Sequence, residues 1–144
     1  MKRYNYYQAA PHAMKAMMGL ERTVAESLLP AALRELVKIR ASQINGCAYC
    51  IDMHGKDAIK AGEDVRRLLA LPAWRETGFF DERERAALLW TETLTEVARH
   101  GAPDEVYRVV AAQFSEQELA ELTLVIAAIN AWNRFGVGFA MQAQ

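Results

Sequence analysis

The sequence predicts an all-α fold of about six or seven helices joined by short loops. Three observations predict it. Apolar residues recur at helical spacings along the whole chain, with no convincing alternation of period two. Proline, glycine and Asn-Gly marks separate these stripes. Asp81-Glu82-Arg83-Glu84 and Ser115-Glu116-Gln117-Glu118 both read as capping boxes at helix starts.

In chain order, Pro11 suits a first helical turn, and Met14, Met17, Met18, Val24, Ala25 and Leu28 follow on helical spacing. Pro30 opens the next helix, whose stripe is Leu33, Leu36, Val37 and Ile44. Asn45-Gly46 stops it, because both residues tolerate the left-handed conformation of a helix end. A third helix is expected from Cys47 to Ala61 and closes at Gly62; a short one from Asp64 to Leu71 closes at Pro72. The Asp81 box leads a helix bearing Ala86, Leu89, Trp90, Leu94 and Val97, ending at His100-Gly101. Pro103 opens a helix with Val106, Val109 and Val110, and the Ser115 box opens the last, which runs to Met141.

A chain of 144 residues fits a single domain spanning 1–144. Seventeen Lys plus Arg balance eighteen Asp plus Glu, leaving a net charge of -1 and no field to draw in a phosphate backbone, so a nucleic-acid partner is not expected. At 52% hydrophobic residues the chain is too apolar for disorder. Two cysteines exclude a disulfide-rich secreted scaffold. The first eight residues hold no apolar signal core, and the longest apolar stretch, Leu122 to Trp132, is broken by Thr123 and Asn130. A membrane span needs about 20 apolar residues, so this stretch reads as a buried helix and the expected address is the cytoplasm. Because that helix is apolar nearly all round, a second subunit is expected to supply part of its cover.

One segment carries chemistry: Glu35 through Asn45-Gly46-Cys47-Ala48-Tyr49-Cys50 to His54. Steps of three and four return to one helix face, so Cys47, Cys50 and His54 stack above one another. An i, i+3 pair has Cα atoms about 5 Å apart, within the span of a disulfide. The Asn45-Gly46 turn makes two antiparallel neighbours. Glu35 lies about ten residues before it and His54 about eight after, an axial offset of roughly 3 Å at about 1.5 Å per residue. The expected line is Glu35–His54–Cys50: a carboxylate orienting an imidazole, and an imidazole taking a proton from a thiol.

The thiolate is the nucleophile, and a free cysteine with a pKa of about 8.5 is mostly protonated at neutral pH. A helix N-terminus and an adjacent imidazole both favour the thiolate. A second cysteine within bonding distance resolves a sulfenic acid before irreversible oxidation. Against this stand two rival readings. The cysteines could be no more than small buried residues. They could also be zinc ligands with His54 and Glu35, although no second ligand pair exists and three ligands on one face suit a tetrahedron poorly. A thioredoxin-like reading fails because the chain offers no parallel sheet. Nothing calls for a cofactor or metal.

The pattern Glu35…Arg40-x-Ser42-x-x-Asn45-Gly46-Cys47-Ala48-Tyr49-Cys50-x-x-x-His54 resembles the core of the AhpD-like alkylhydroperoxidases, within the carboxymuconolactone decarboxylase superfamily. The likeness is dense from Leu33 to Gly62 and continues in Leu71–Glu76, Asp81–Leu88 and Ala127–Arg134. It implies an all-helical homotrimer or homohexamer. It implies that Cys50 attacks an organic hydroperoxide or hydrogen peroxide, and that Cys47, the more exposed cysteine, closes the disulfide. It further implies that His54 and Glu35 relay protons and that a protein dithiol or lipoyl group is the reductant. Where some members carry a histidine between the cysteines, Tyr49 stands here. A non-enzymatic redox sensor of the same fold remains the alternative from another class.

Elsewhere, His12 and His100 read as surface and helix-end residues, and the Met14, Met17, Met18 stripe as packing. Trp74, Trp90 and Trp132 read as core or interface anchors. Arg40 and Ser42 stay open between positioning the site and simple helix capping.

Overall fold

The computed structural model describes all 144 residues and contains nine α-helices and no strand. They are α1 (Tyr6–Ala9), α2 (Pro11–Ala25), α3 (Ala31–Asn45), α4 (Ala48–Lys60), α5 (Val65–Ala70), α6 (Glu82–Thr95), α7 (Val97–His100), α8 (Asp104–Ala111) and α9 (Glu116–Gly138), with a 3₁₀ turn at Leu71–Glu76 after α5. The all-α class is as expected; the count exceeds the expected six or seven because of two single-turn pieces. Asn5 creates α1 by accepting the backbone N–H groups of Tyr7 and Gln8 at 2.9 and 3.4 Å. Glu96 separates α7 from α6. Just before it, Thr91 and Thr93 turn their hydroxyls back on the carbonyls of Ala87 and Leu89, a bonding habit that weakens and bends helices.

Both capping boxes form as read, at Asp81/Glu84 and Ser115/Glu118. The Arg83 guanidinium and the Ser115 backbone N–H hold the Glu118 carboxyl down at about 2, so this cap stays ionised at neutral pH.

α9 is the central element, packed by α2, α3, α4, α6 and α8. Leu122, Val125, Ile126, Ala128 and Ile129 are all buried by the chain itself, and within the apolar stretch only Ala127 is exposed. Five helices of the same chain thus cover most of α9, while Leu124, Ala131 and Trp132 stay partly exposed.

α3 is shared between two cores. Leu33 and Val37 enter the larger, with Trp90, Val110 and the apolar face of α9; Leu36 and Ile39 enter the smaller, with Leu71, Trp74, Phe80 and Leu88. Each fully buried aliphatic chain contributes about 2 kcal/mol. Fixed on two sides, α3 presents a third stripe, Glu35, Lys38 and Ser42, to the rest of the molecule. Gly46 ends α3 at φ 67°, and the Cys47 N–H reaches back to the Ser42 carbonyl at 3.0 Å, which folds α4 antiparallel against α3.

Candidate redox-active site

Cys47 is the N-cap of α4, and its sulfur accepts the Cys50 backbone N–H at 3.4 Å. Cys50 lies in the first turn, where unpaired N–H groups and the helix dipole favour negative charge. The two cysteines are disulfide-bonded, with Cα atoms 5.3 Å apart. Both are buried, Cys47 at 1% and Cys50 at 2% exposure. The resemblance led us to expect a more exposed Cys47; the structure corrects this, because α9 lies directly over it. A Cβ added to Gly136 would sit 2.6 Å from Cys47 Sγ and 3.4 Å from Cys50 Sγ. Glycine is thus what lets the α9 backbone close on the sulfurs.

That contact yields an expected result. Gly136→Ala should destabilise the oxidised protein by about 1–3 kcal/mol through overpacking, and the reduced protein by less, since a free thiol can rotate away. Thermal unfolding of both redox forms measures the difference; equal losses would mean the alanine meets the helix and not the sulfurs.

A cavity of about 360 Å³ opens beside the disulfide, enclosed by α1, α2, α3, α4 and α9. Cys50, His54 and Glu35 all line it; Cys47 does not. His54 Nδ1 lies 3.2 Å from Glu35 Oε2, joining α4 to α3 as register counting indicates. With Nδ1–H donating to the carboxylate, the imidazole keeps its lone pair on Nε2. Cys50 precedes His54 by one helical turn on the same cavity wall. No three His, Cys, Asp or Glu side chains gather into a group that could hold a metal ion.

Several wall residues escaped the spacing argument. Lys38, 8% exposed, places Nζ 3.5 Å from Glu21 Oε2 and 3.9 Å from Glu35 Oε1. Glu21 Oε1 accepts the Trp132 indole N–H at 2.9 Å. A chain of polar contacts therefore runs from Trp132 of α9 through Glu21 of α2 and Lys38 of α3 to the Glu35–His54 pair. Lys38 carried a signal: it stands three residues after Glu35, inside the apolar run Leu36-Val37-Lys38-Ile39. Tyr6 is anchored against Phe135 and Phe139 with ring centroids 5.1 and 5.2 Å away. Burial, reinforced by the neighbouring Tyr7 and Tyr49 phenols, pushes its pKa up to about 12, so it faces the cavity as a neutral phenol.

Other residues fall outside. Arg40 donates to Glu92 at 3.0 Å and to Gln43, binding α3 to α6. Arg75, Trp74 and Arg40 outweigh burial and hold the Glu92 carboxyl below its usual range. Ser42 accepts from Asn133 at 2.9 Å, and Asn45 donates to Asn130 and Asn133 at 2.9 Å each. These amides pin α9 to the end of α3, just ahead of Cys47. Trp132 and Met18 line the cavity, whereas Trp74, Trp90 and Met14 belong to the interior. His12 and His100 lie on the surface.

The all-helical chain, with a Cys-x-x-Cys pair at one helix start, is AhpD-like in fold. The sequence pattern of the carboxymuconolactone decarboxylase family matches residues 11–93, and the chain belongs to that family. It is 42% identical to the uncharacterized protein YdfG of Bacillus subtilis over 99% of this chain and 97% of that one. It is 31% identical to the uncharacterized protein YnjA of Escherichia coli, over 82% and 64% of the two chains. A crystal structure from Agrobacterium tumefaciens, of a protein of unknown function described as a candidate AhpD antioxidant defence protein, superimposes with a TM-score of 0.96 at 42% identity, covering 100% of this chain and 99% of that one. No helix is long and apolar enough to cross a membrane.

Proposed function

We propose that the protein is a thiol-dependent hydroperoxide reductase. The observation that carries this reading is the asymmetry of the dithiol: one sulfur-bearing residue, Cys50, shares a cavity wall with the His54–Glu35 pair, and the other does not. The candidate antioxidant role of the Agrobacterium tumefaciens protein points the same way.

In the proposed cycle, His54 Nε2 takes the Cys50 proton and Glu35 stabilises the resulting imidazolium. The thiolate attacks the terminal oxygen of a hydroperoxide, the O–O bond breaks, and His54 returns its proton to the departing alkoxide. Cys50 is now a sulfenic acid, and the products are an alcohol, or water from hydrogen peroxide. The Cys47 thiol displaces hydroxide from that sulfur; one water leaves and the disulfide forms. An external dithiol, on a protein or a lipoyl group, restores both thiols by exchange and is itself oxidised. The buried disulfide requires α9 or the first turn of α4 to open for that last step. Such a reductant is maintained in the cytoplasm, where we place the reaction.

Steady-state consumption of an organic hydroperoxide with a small dithiol as reductant tests the reading. A reductase turns over many times per chain. A redox sensor consumes a single equivalent and stops, and that outcome would overturn the proposal.

A further inference from the structure

Lys38 is the one ammonium in the cavity wall, and it lies between two carboxylates on different helices, Glu21 of α2 and Glu35 of α3. It is buried, and holding a buried ammonium in place requires a compensating charge. Glu21 and Glu35 each supply one. Glu35 in turn accepts from His54, so the cation stands two contacts from the imidazole. The surroundings add no second positive side chain. On α4 there are Tyr49 and the exposed Asp57; α1 offers the Tyr6 and Tyr7 phenols, and α9 the uncharged Trp132.

We propose that Lys38 is a positioning residue: its charge holds Glu35 aimed at His54, and so sets the pH above which Cys50 becomes a thiolate. The proposal rests on the His54–Cys50 proton transfer described above, but not on the identity of the oxidant. A nearby positive charge favours every deprotonated neighbour, carboxylate, neutral imidazole and thiolate alike. Removing it should move the Cys50 midpoint toward higher pH. Removing Glu21 should move it the other way, because one of the carboxylates that offset Lys38 is then gone. A side chain needed only for packing gives neither shift, and never a pair of opposite sign.

The experiment uses the reduced protein with Cys47→Ser, which leaves Cys50 as its sole thiol, and follows iodoacetamide alkylation as a function of pH. Peroxide plays no part in it. Lys38→Met, close in volume to lysine, should raise the midpoint by on the order of one pH unit, about a tenfold loss of thiolate below it. Lys38→Arg should bring the midpoint back, and Glu21→Gln, whose amide oxygen still accepts from Trp132, should lower it. His54→Gln serves as the reference for the relay. A midpoint that His54→Gln moves and Lys38→Met leaves in place overturns the proposal alone. A midpoint that neither moves overturns the relay and the proposal with it. Lys38→Met and Lys38→Arg both shifting upward alike would show that lysine's shape matters and its charge does not, which also overturns it.

Discussion

Cys50→Ser is expected to bring peroxide consumption down to the uncatalysed background, while Cys47→Ser should complete a single round and stop with Cys50 as a sulfenic acid. The two sulfurs are chemically alike, bonded to each other and almost equally buried. Their difference lies in what surrounds them. Cys50 lines the cavity and lies one turn from His54, whereas Cys47 is pressed under Gly136 at the helix cap. A serine hydroxyl at position 50 is a far weaker nucleophile toward peroxide oxygen, and the remaining Cys47 cannot take over from beneath α9. Without Cys47, the attack and the release of alcohol proceed normally, but the sulfenic acid has no resolving thiol. Stopped-flow consumption of hydroperoxide, with intact mass showing one added oxygen on the Cys47→Ser chain, measures both. Equal and full activity in the two variants would defeat the assignment of roles.

His54→Gln is expected to lower the rate of peroxide reduction by about 10²–10⁴-fold at neutral pH, the range typical of a lost general base. Glutamine can still donate to Glu35, so α3 and α4 stay joined and the loss reports on proton transfer. The defect should shrink as pH rises past about 8.5, where an unassisted thiol ionises on its own. A residual preference for the thiolate survives because Cys50 keeps the N-terminal turn of α4. The pH dependence of the second-order rate constant for both proteins gives the test. A loss that stays constant with pH would assign His54 to packing instead.

Much of this site was legible before any coordinates. Asn45-Gly46 announced the reversal between α3 and α4, and counting residues from that turn paired Glu35 with His54, which lie 3.2 Å apart. Local periodicity suffices there because the partners belong to neighbouring helices. Lys38 was harder to see, since an amphipathic stripe reads a lysine as solvent-facing; its partner Glu21 lies on α2, which precedes α3 in sequence but packs chiefly on α9 and α1. Gly136 was not marked in the sequence: Gly55, also inside a helix, has nothing within 4 Å of where a Cβ would stand, so a helical glycine alone does not reveal a close approach. The burial of Cys47 beneath α9 depends on how the helices assemble, which no single segment encodes.

The central claim is that one peroxide oxidises both cysteines through a single reactive sulfur. Free-thiol counting and intact mass on the fully reduced protein, before and after one equivalent of cumene hydroperoxide, test it most directly. The account predicts that both of the chain's two thiols vanish within seconds, with two hydrogens lost and no oxygen retained. Thiols that remain titratable, or that disappear no faster than those of free cysteine, would contradict it.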